Sequence, residues 1–249
     1  MDMTGTSQPA ADQADGGDQS AVAADLRLMS VWEMPERGTR GPKPRHDRAV
    51  IAAAAVRIAD ADGVDGLTMR RVATELGMAT MTLYNYLPTK DHLAQLVIDK
   101  LAAEYAYPQA PPADKRAAIA ELAGQAREIA RRHPWVARIM QPPRPPGPNG
   151  LRYLDYFLGL LDGSGVIALI SGFATMYGAM QAGLARQGVT GAQHADAHAR
   201  AFARAAASGH YPNLAAALAT AGPVRDQEDI FESSIRRLID VARPAGNPR

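Results

Sequence analysis

From Asp47 onward apolar residues recur three and four positions apart, and nowhere do Val, Ile and Thr alternate with polar residues over the length of a strand. The first stripe is Ile51, Ala55, Ile58 and Ala59. Asp47 marks its start, since a carboxylate can accept from the open amides of a first turn, and Asp62-Gly63 marks its end. Two shorter stripes follow. Thr68 opens one that turns Met69, Val72, Ala73 and Leu76 inward and stops at Gly77; the next runs from about Thr80 to Leu87, with Leu83 and Leu87 on one face. Pro88 and Thr89 then precede a longer helix holding Leu93, Leu96, Val97, Ile98 and Leu101. Beyond the turn QAPPAD the same periodicity predicts helices over 113 to 132, 134 to 140, 150 to 162, 166 to 187, 192 to 207 and 227 to 243. QPPRPPGPNG, residues 141 to 150, is expected to be non-helical because proline lacks the amide and crowds the preceding turn. The expected fold is all-α, a three-helix N-terminal head followed by a larger helical body.

Composition agrees with this reading. Hydrophobic residues make up 47% of the 249 positions, enough to bury a core, and alanine dominates many stretches. The overall charge of +1 hides a split along the chain. Residues 1 to 34 hold six acids against Arg27 alone, whereas residues 35 to 48 hold Arg37, Arg40, Lys43, Arg45 and Arg48 against Glu36 and Asp47. Too little apolar surface in the first stretch and alternating Gly, Pro and basic residues in RGTRGPKPR make 1–43 an expected disordered acidic tail and basic arm, the arm suited to following a DNA groove. The domains that follow are 44–107 and 110–243. With no cysteine the chain has no disulfide and no thiolate chemistry. No run of about 18 apolar residues is evident and the start is acidic and polar, so a cytoplasmic protein without a membrane partner is expected. An enzyme is disfavoured: there is no G-x-S-x-G, HExxH or P-loop, and the glycines of 159 to 165 follow a predicted helix.

The chemistry that stands out lies in TMRRVATEL-GM-ATMTLYNYL, two short helices joined through Gly77, the unit in which one helix braces another in the major groove. Ala73 lets the helices approach and Gly77 tolerates positive φ. Arg70, Arg71, Thr80, Met81, Thr82, Tyr84, Asn85 and Tyr86 are left facing outward. Asn85 can pair with adenine through two hydrogen bonds, and Thr80 and Met81 can pack a methyl on thymine.

The segment resembles the head of the tetracycline repressor (TetR) family at every fixed position: Gly66, Leu67, Thr68, Arg70, Val72, Ala73, Leu76, Gly77, Met78, Thr82, Leu83, Tyr84, Tyr86, Leu87 and Lys90. One departure is Ala79, where the family often has a Ser cap; Thr80 is expected to take over the cap. The resemblance implies a bacterial, one-component transcriptional regulator that binds double-stranded operator DNA. It places Thr68 and Arg70 at the DNA backbone or groove edge and gives Thr82, Tyr84, Tyr86 and Lys90 phosphate contacts, leaving Thr80, Met81 and Asn85 as base readers. Arg71, outward on its own helix, and Arg45, in the basic arm, are expected as further DNA contacts on their charge alone.

A looser resemblance covers the body, in HPWVARIM, LRYLDYFLGLLDGSG and DIFESSIRRLIDVAR. It implies a ligand-binding and homodimerising domain, two helices per subunit meeting at the interface. The matching helices are 166–187 and 227–243. Their expected dimer residues are Ile170, Ala174, Met180 and Gly183 in the first, and Ile235, Leu238 and Ile239 in the second. Trp135, Met140, Tyr153, Tyr156, Phe157, Phe173, Met176 and Tyr177 are the expected lining for an apolar or amphipathic effector, with no cofactor and no metal. His194 and His198, four apart on a predicted helix, supply two imidazoles where a zinc site takes more ligands. Repression is the family's commoner mode; the alternatives are an activator or an architectural DNA-binding protein without a ligand.

Overall fold

The computed structural model describes residues 29–35, 46–141, 143–161, 164–220 and 226–242. Among these there are eleven α-helices and no β-strand. The head comprises α1 (Arg48–Gly66), α2 (Met69–Glu75) and α3 (Thr80–Tyr84), joined by α4 (Lys90–Ala102) to the body. The body comprises α5 (Lys115–Arg132), α6 (Val136–Ile139), α7 (Pro148–Leu160), α8 (Ser164–Arg186), α9 (Gly191–Ala207), α10 (Pro212–Thr220) and α11 (Gln227–Val241).

Side-chain caps start most of these helices. Asp47 accepts from Val50 N at 2.8 Å, Thr68 from Arg71 N at 3.1 Å, Thr89 from His92 N at 3.3 Å, and Asp226 from Asp229 N at 2.7 Å. Gly63, at φ 72°, breaks α1 where the sequence placed its end, although a last helical turn continues to Gly66. Gly77, at φ 63°, makes the tight turn between α2 and α3.

Two cores result. Ile51, Ile58, Val72, Ala73, Leu83, Leu87, Leu93, Leu96 and Val97 form the head core, which Ile129, Val136 and Ile139 extend into the body. Ile119, Leu122, Phe157, Leu160, Ile167, Ile170, Ala174, Phe231, Ile235 and Ile239 form the second. Acids near the end of α1 join the two parts. Asp60 Oδ1 accepts from Trp135 Nε1 at 2.8 Å and lies 2.7 Å from His133 Nδ1, and Asp65 takes both guanidinium arms of Arg138 at 2.9 Å.

Several expectations are corrected. α7 starts at Pro148, inside the stretch expected to be non-helical, because a proline in the first turn removes no helical hydrogen bond. α10 was not expected at all and has the same proline start at Pro212. Residues 29–35, assigned to a disordered tail, pack instead as a 3-10 turn with Val31 buried. The rest of that tail and arm lies outside the described residues. The span Gly165–Arg186 is long and apolar enough to cross a bilayer, contrary to the sequence reading, yet Ile167, Ile170, Ala174 and Tyr177 within it are buried in the body's own core.

Candidate DNA-reading face and ligand groove

α3 is held from one side only. Leu83 is its one buried residue, seated with Val72, Ala73 and Leu87 in the head core. Everything else on the helix turns outward: Met81 is 74% exposed, Tyr84 41%, and Thr82 and Asn85 are exposed, with Thr80 half-buried. No acid occurs between Leu76 and Lys90, so the surface is neutral to basic throughout. Arg70 and Lys90 are exposed beside it, and Thr68 caps α2 as expected. Tyr86 differs, half-buried against the head core. Arg71 differs too. It lies 3.6 Å from Asp62 and 3.5 Å from Glu75, which makes it a brace between α1 and α2 and leaves it less charge to offer a phosphate. Ala79, not Thr80, occupies the cap position of α3 and offers no side-chain bond, so the expected transfer of the cap to Thr80 does not occur. Arg45 lies outside the described residues.

The residues expected to line one cavity divide among different places. Trp135 is pinned to Asp60 between head and body. Met140 and Met176 are exposed, at 40% and 62%. Phe173 stacks on Phe231, Tyr177 is tilted against both rings, and the Tyr177 hydroxyl donates to Gln227 O at 2.6 Å. Tyr153, Tyr156 and Phe157, all on α7, form a second group. Tyr153 lies 4.5 Å from the Tyr105 ring and 5.4 Å from Phe157, its hydroxyl 2.6 Å from Ser171 Oγ. Tyr156 meets Tyr107 edge-on at 5.1 Å.

Next to this cluster, Tyr107, Pro108, Pro112, Leu122 and Tyr156 line a groove of about 520 Å³ together with the polar Asp114, Glu121 and Gln125. The volume suits a drug-sized molecule. The Tyr107 hydroxyl is buried without a hydrogen-bond partner among the described residues, and the Arg152 guanidinium sits 4.7 Å over its ring. Burial pushes the Tyr153 phenol up to about 12 and raises those of Tyr105, Tyr107 and Tyr156, so all four hydroxyls are neutral hydrogen-bonding groups at pH 7. Tyr105, Tyr107 and Ser171 were missed from the sequence. The available signal was the pairing of Tyr105-x-Tyr107, in the loop after α4, with Tyr153-x-x-Tyr156, inside α7.

The head matches the model of bacterial regulatory proteins of the tetR family over residues 51–97, and the body matches the tetracyclin repressor-like C-terminal domain over residues 107–241. The chain belongs to the TetR family. It is 34% identical to the HTH-type transcriptional repressor DrrR1 of Streptomyces coeruleorubidus, over 96% of this chain and 91% of that protein. Apo ActR from Streptomyces coelicolor aligns with a TM-score of 0.62 at 29% identity, over 80% of this chain and 97% of that one. ActR in complex with actinorhodin gives a TM-score of 0.62 at 28% identity, over 79% and 95%.

In this TetR family chain the expected dimer residues divide by burial. Ile170, Ala174, Ile235 and Ile239 lie in the chain's own second core and are corrected as interface residues. Met180, Gly183 and Leu238 retain exposure. The physical reason is that α8 is apolar on two sides. One stripe, at Ile167, Ile170, Ala174 and Tyr177, packs inward; another, at Leu169, Met176 and Met180, stays 61%, 62% and 36% exposed. His194 and His198 lie with ring centroids 4.2 Å apart and planes tilted by 39°, and among the described residues no group of three metal-binding side chains includes them.

Proposed function

We propose that the protein is a cytoplasmic, ligand-responsive transcriptional repressor that binds a palindromic operator as a homodimer and is released from it by a small amphipathic molecule. The observation that carries this is the outward face of α3, where a single anchor, Leu83, leaves Met81, Thr82, Tyr84 and Asn85 free on a surface without acids. Tyr84, Thr82, Arg70 and Lys90 hold phosphates and set register, while Thr80, Met81 and Asn85 read base edges. The repressor role is supported by the likeness to DrrR1 and the ligand response by the likeness to ActR, which has been solved with actinorhodin and with (S)-DNPA.

Homodimerisation is supported by two uncovered apolar stripes. Leu169, Met176 and Met180 line α8, and Ile230 and Val241 line α11 with the half-buried Leu238 between them, Val241 being 81% exposed. α9 and α10 bury no residue within the chain, which fits a hairpin that rests on a second copy. The effector sits in the groove between Tyr107 and Tyr156. It weakens operator binding only through unequal affinity for the two forms, and a hundredfold loss requires about 2.8 kcal/mol of that inequality.

The test is selection of duplexes from a random pool with purified protein, followed by a screen for compounds that release the selected duplex. A palindromic site with half-sites about one helical turn or more apart is expected. No preference over random DNA at moderate salt would defeat the reading.

A further inference from the structure

Residues 29–35 form a small structure built onto the head. Ser30 closes the 3-10 turn Val31–Glu33 reciprocally: its hydroxyl accepts from Trp32 N at 3.3 Å, and its amide donates to the Glu33 carboxylate at 3.4 Å. Val31 is fully buried in the head core. Gln95 of α4 is 2% exposed and spends both ends of its amide on this turn, Oε1 accepting from Val31 N at 2.7 Å and Nε2 donating to Met29 O at 3.1 Å. Arg48, at the start of α1, donates to Met34 O at 2.8 Å. A buried glutamine on a packed helix face is unfavourable unless its amide is matched. Both of its matches come from a segment outside the three-helix head.

The same turn reaches the body. Trp32 lies against Gly147, the residue that precedes α7, and a methyl on Gly147 would collide with both the Trp32 indole nitrogen and the Asp99 carboxylate. Asp99 stands one helical turn along α4 from Gln95 and is 4% exposed. It accepts from Asn149 N at 2.8 Å, Asn149 Nδ2 at 2.8 Å and Gly150 N at 3.0 Å, and so satisfies open amides of the first turn of α7. Gln95 and Asp99 are thus neighbours on one face of α4, one gripping the N-terminal turn and the other the body, with Trp32 seated at the junction.

We propose that Met29–Pro35 is a clip that sets the angle of α4 against α7, and that Gln95 and Trp32 are positioning residues for operator binding that do not themselves touch DNA. The inference rests on the operator-binding reading above. α4 begins at Lys90, shortly after α3 ends, so its angle governs where α3 points relative to the body.

Full-length protein, Gln95→Met and Trp32→Ala are compared by hydrogen–deuterium exchange and by titration with the duplex that the wild type selects. In Gln95→Met, exchange rises about tenfold or more in residues 29–35 and also rises in 144–153, while α5 and α11 keep wild-type rates. Its Kd for duplex rises about threefold to tenfold with the salt slope unchanged, because no phosphate contact is lost. Trp32→Ala leaves Gln95 its partners and reproduces the change at 144–153, which keeps the test decisive if Gln95→Met does not fold. Fast exchange in the clip alone, with 144–153 and Kd as in the wild type, would overturn the proposal. A reduced salt slope would also overturn it, by placing the clip on DNA. If the wild type selects no duplex, the operator-binding reading fails separately, and the exchange at 144–153 still decides whether the clip sets α7.

Discussion

α3 in the head and α8 in the body are both left partly uncovered, and the chemistry of what each exposes is different. α3 shows hydroxyls, an amide, a phenol and one methionine beside Arg70 and Lys90, without a carboxylate. α8 shows Leu169, Met176 and Met180, a stripe with nothing to offer a phosphate. A surface rich in hydrogen-bonding groups and lacking acids suits a polyanion, whereas an apolar stripe on a helix of this length suits another protein surface. The contrast shows how one chain of alanine-rich helices carries two surfaces of opposite chemistry.

The strongest way to break the contrast is Leu83→Ala. Removing the sole anchor of α3 costs about 2–5 kcal/mol and abolishes binding to every duplex, read by thermal unfolding and by titration. Leu83→Ala with undiminished duplex binding would show that α3 is held by something else. Gly178→Ala strikes the body instead, since a methyl there collides with the Arg127 carbonyl across the α5–α8 contact. A loss of about 1–3 kcal/mol is expected in thermal unfolding, with the salt slope of duplex binding unchanged.

Asn85→Ala sharpens the head's side of the comparison: about 1–3 kcal/mol is lost mainly at one base pair, whereas Lys90→Ala weakens all duplexes alike and lowers the salt slope by about 1. A uniform loss for Asn85→Ala in an operator-mutant panel would reassign it to the backbone.

Tyr153→Phe tests the body's aromatic cluster. Losing the hydroxyl's bond to Ser171 costs about 0.5–1.5 kcal/mol at pH 7. The Tyr153 phenol has a raised value of about 12 in the folded chain against an ordinary 10.0. Its contribution to wild-type stability is therefore intact below pH 10 and is lost as the pH climbs toward 12, so the deficit of the variant narrows over that window in alkaline melts. A constant deficit would place the hydroxyl in contact with water.

The smallest effect belongs to Asp65→Asn. The Arg138 hydrogen bond, then its charge, hold the Asp65 carboxyl below its ordinary 3.8, with a lesser contribution from Lys90. The stabilisation is present at neutral pH and disappears as the pH falls below the ordinary value, and for so exposed a pair it is slight. Acid melts in which the variant and the wild type differ more at pH 3 than at pH 7 would reverse that sign.

Much of the head was legible because its information is local. Asp47, Thr68 and Thr89 cap the helices they precede, Gly77 takes the positive φ its turn requires, and Leu83 faces in at the spacing the stripe indicated. The body was less legible because its information is pairwise across distant segments. α8 has two apolar stripes, and only contact with α5 and α11 decides that Ile170 and Ala174 turn inward while Leu169 and Met176 do not. Tyr107 became a groove residue only when α7 brought Tyr156 beside it. Proline misled at Pro148, where a residue read as a breaker begins a helix, and the helix that opens on Pro212 was not anticipated.

Asp60 and Asp65, which tie the head to α6 and the turn before it, both belong to α1, while the side chains proposed to read bases belong to α3. The joint and the reader are thus written in separate stretches of sequence. A lineage can exchange the outward residues of α3 for another target without redrawing the joint, and an engineer can do the same: grafting new α3 side chains onto this scaffold leaves its mechanical link to the body in place.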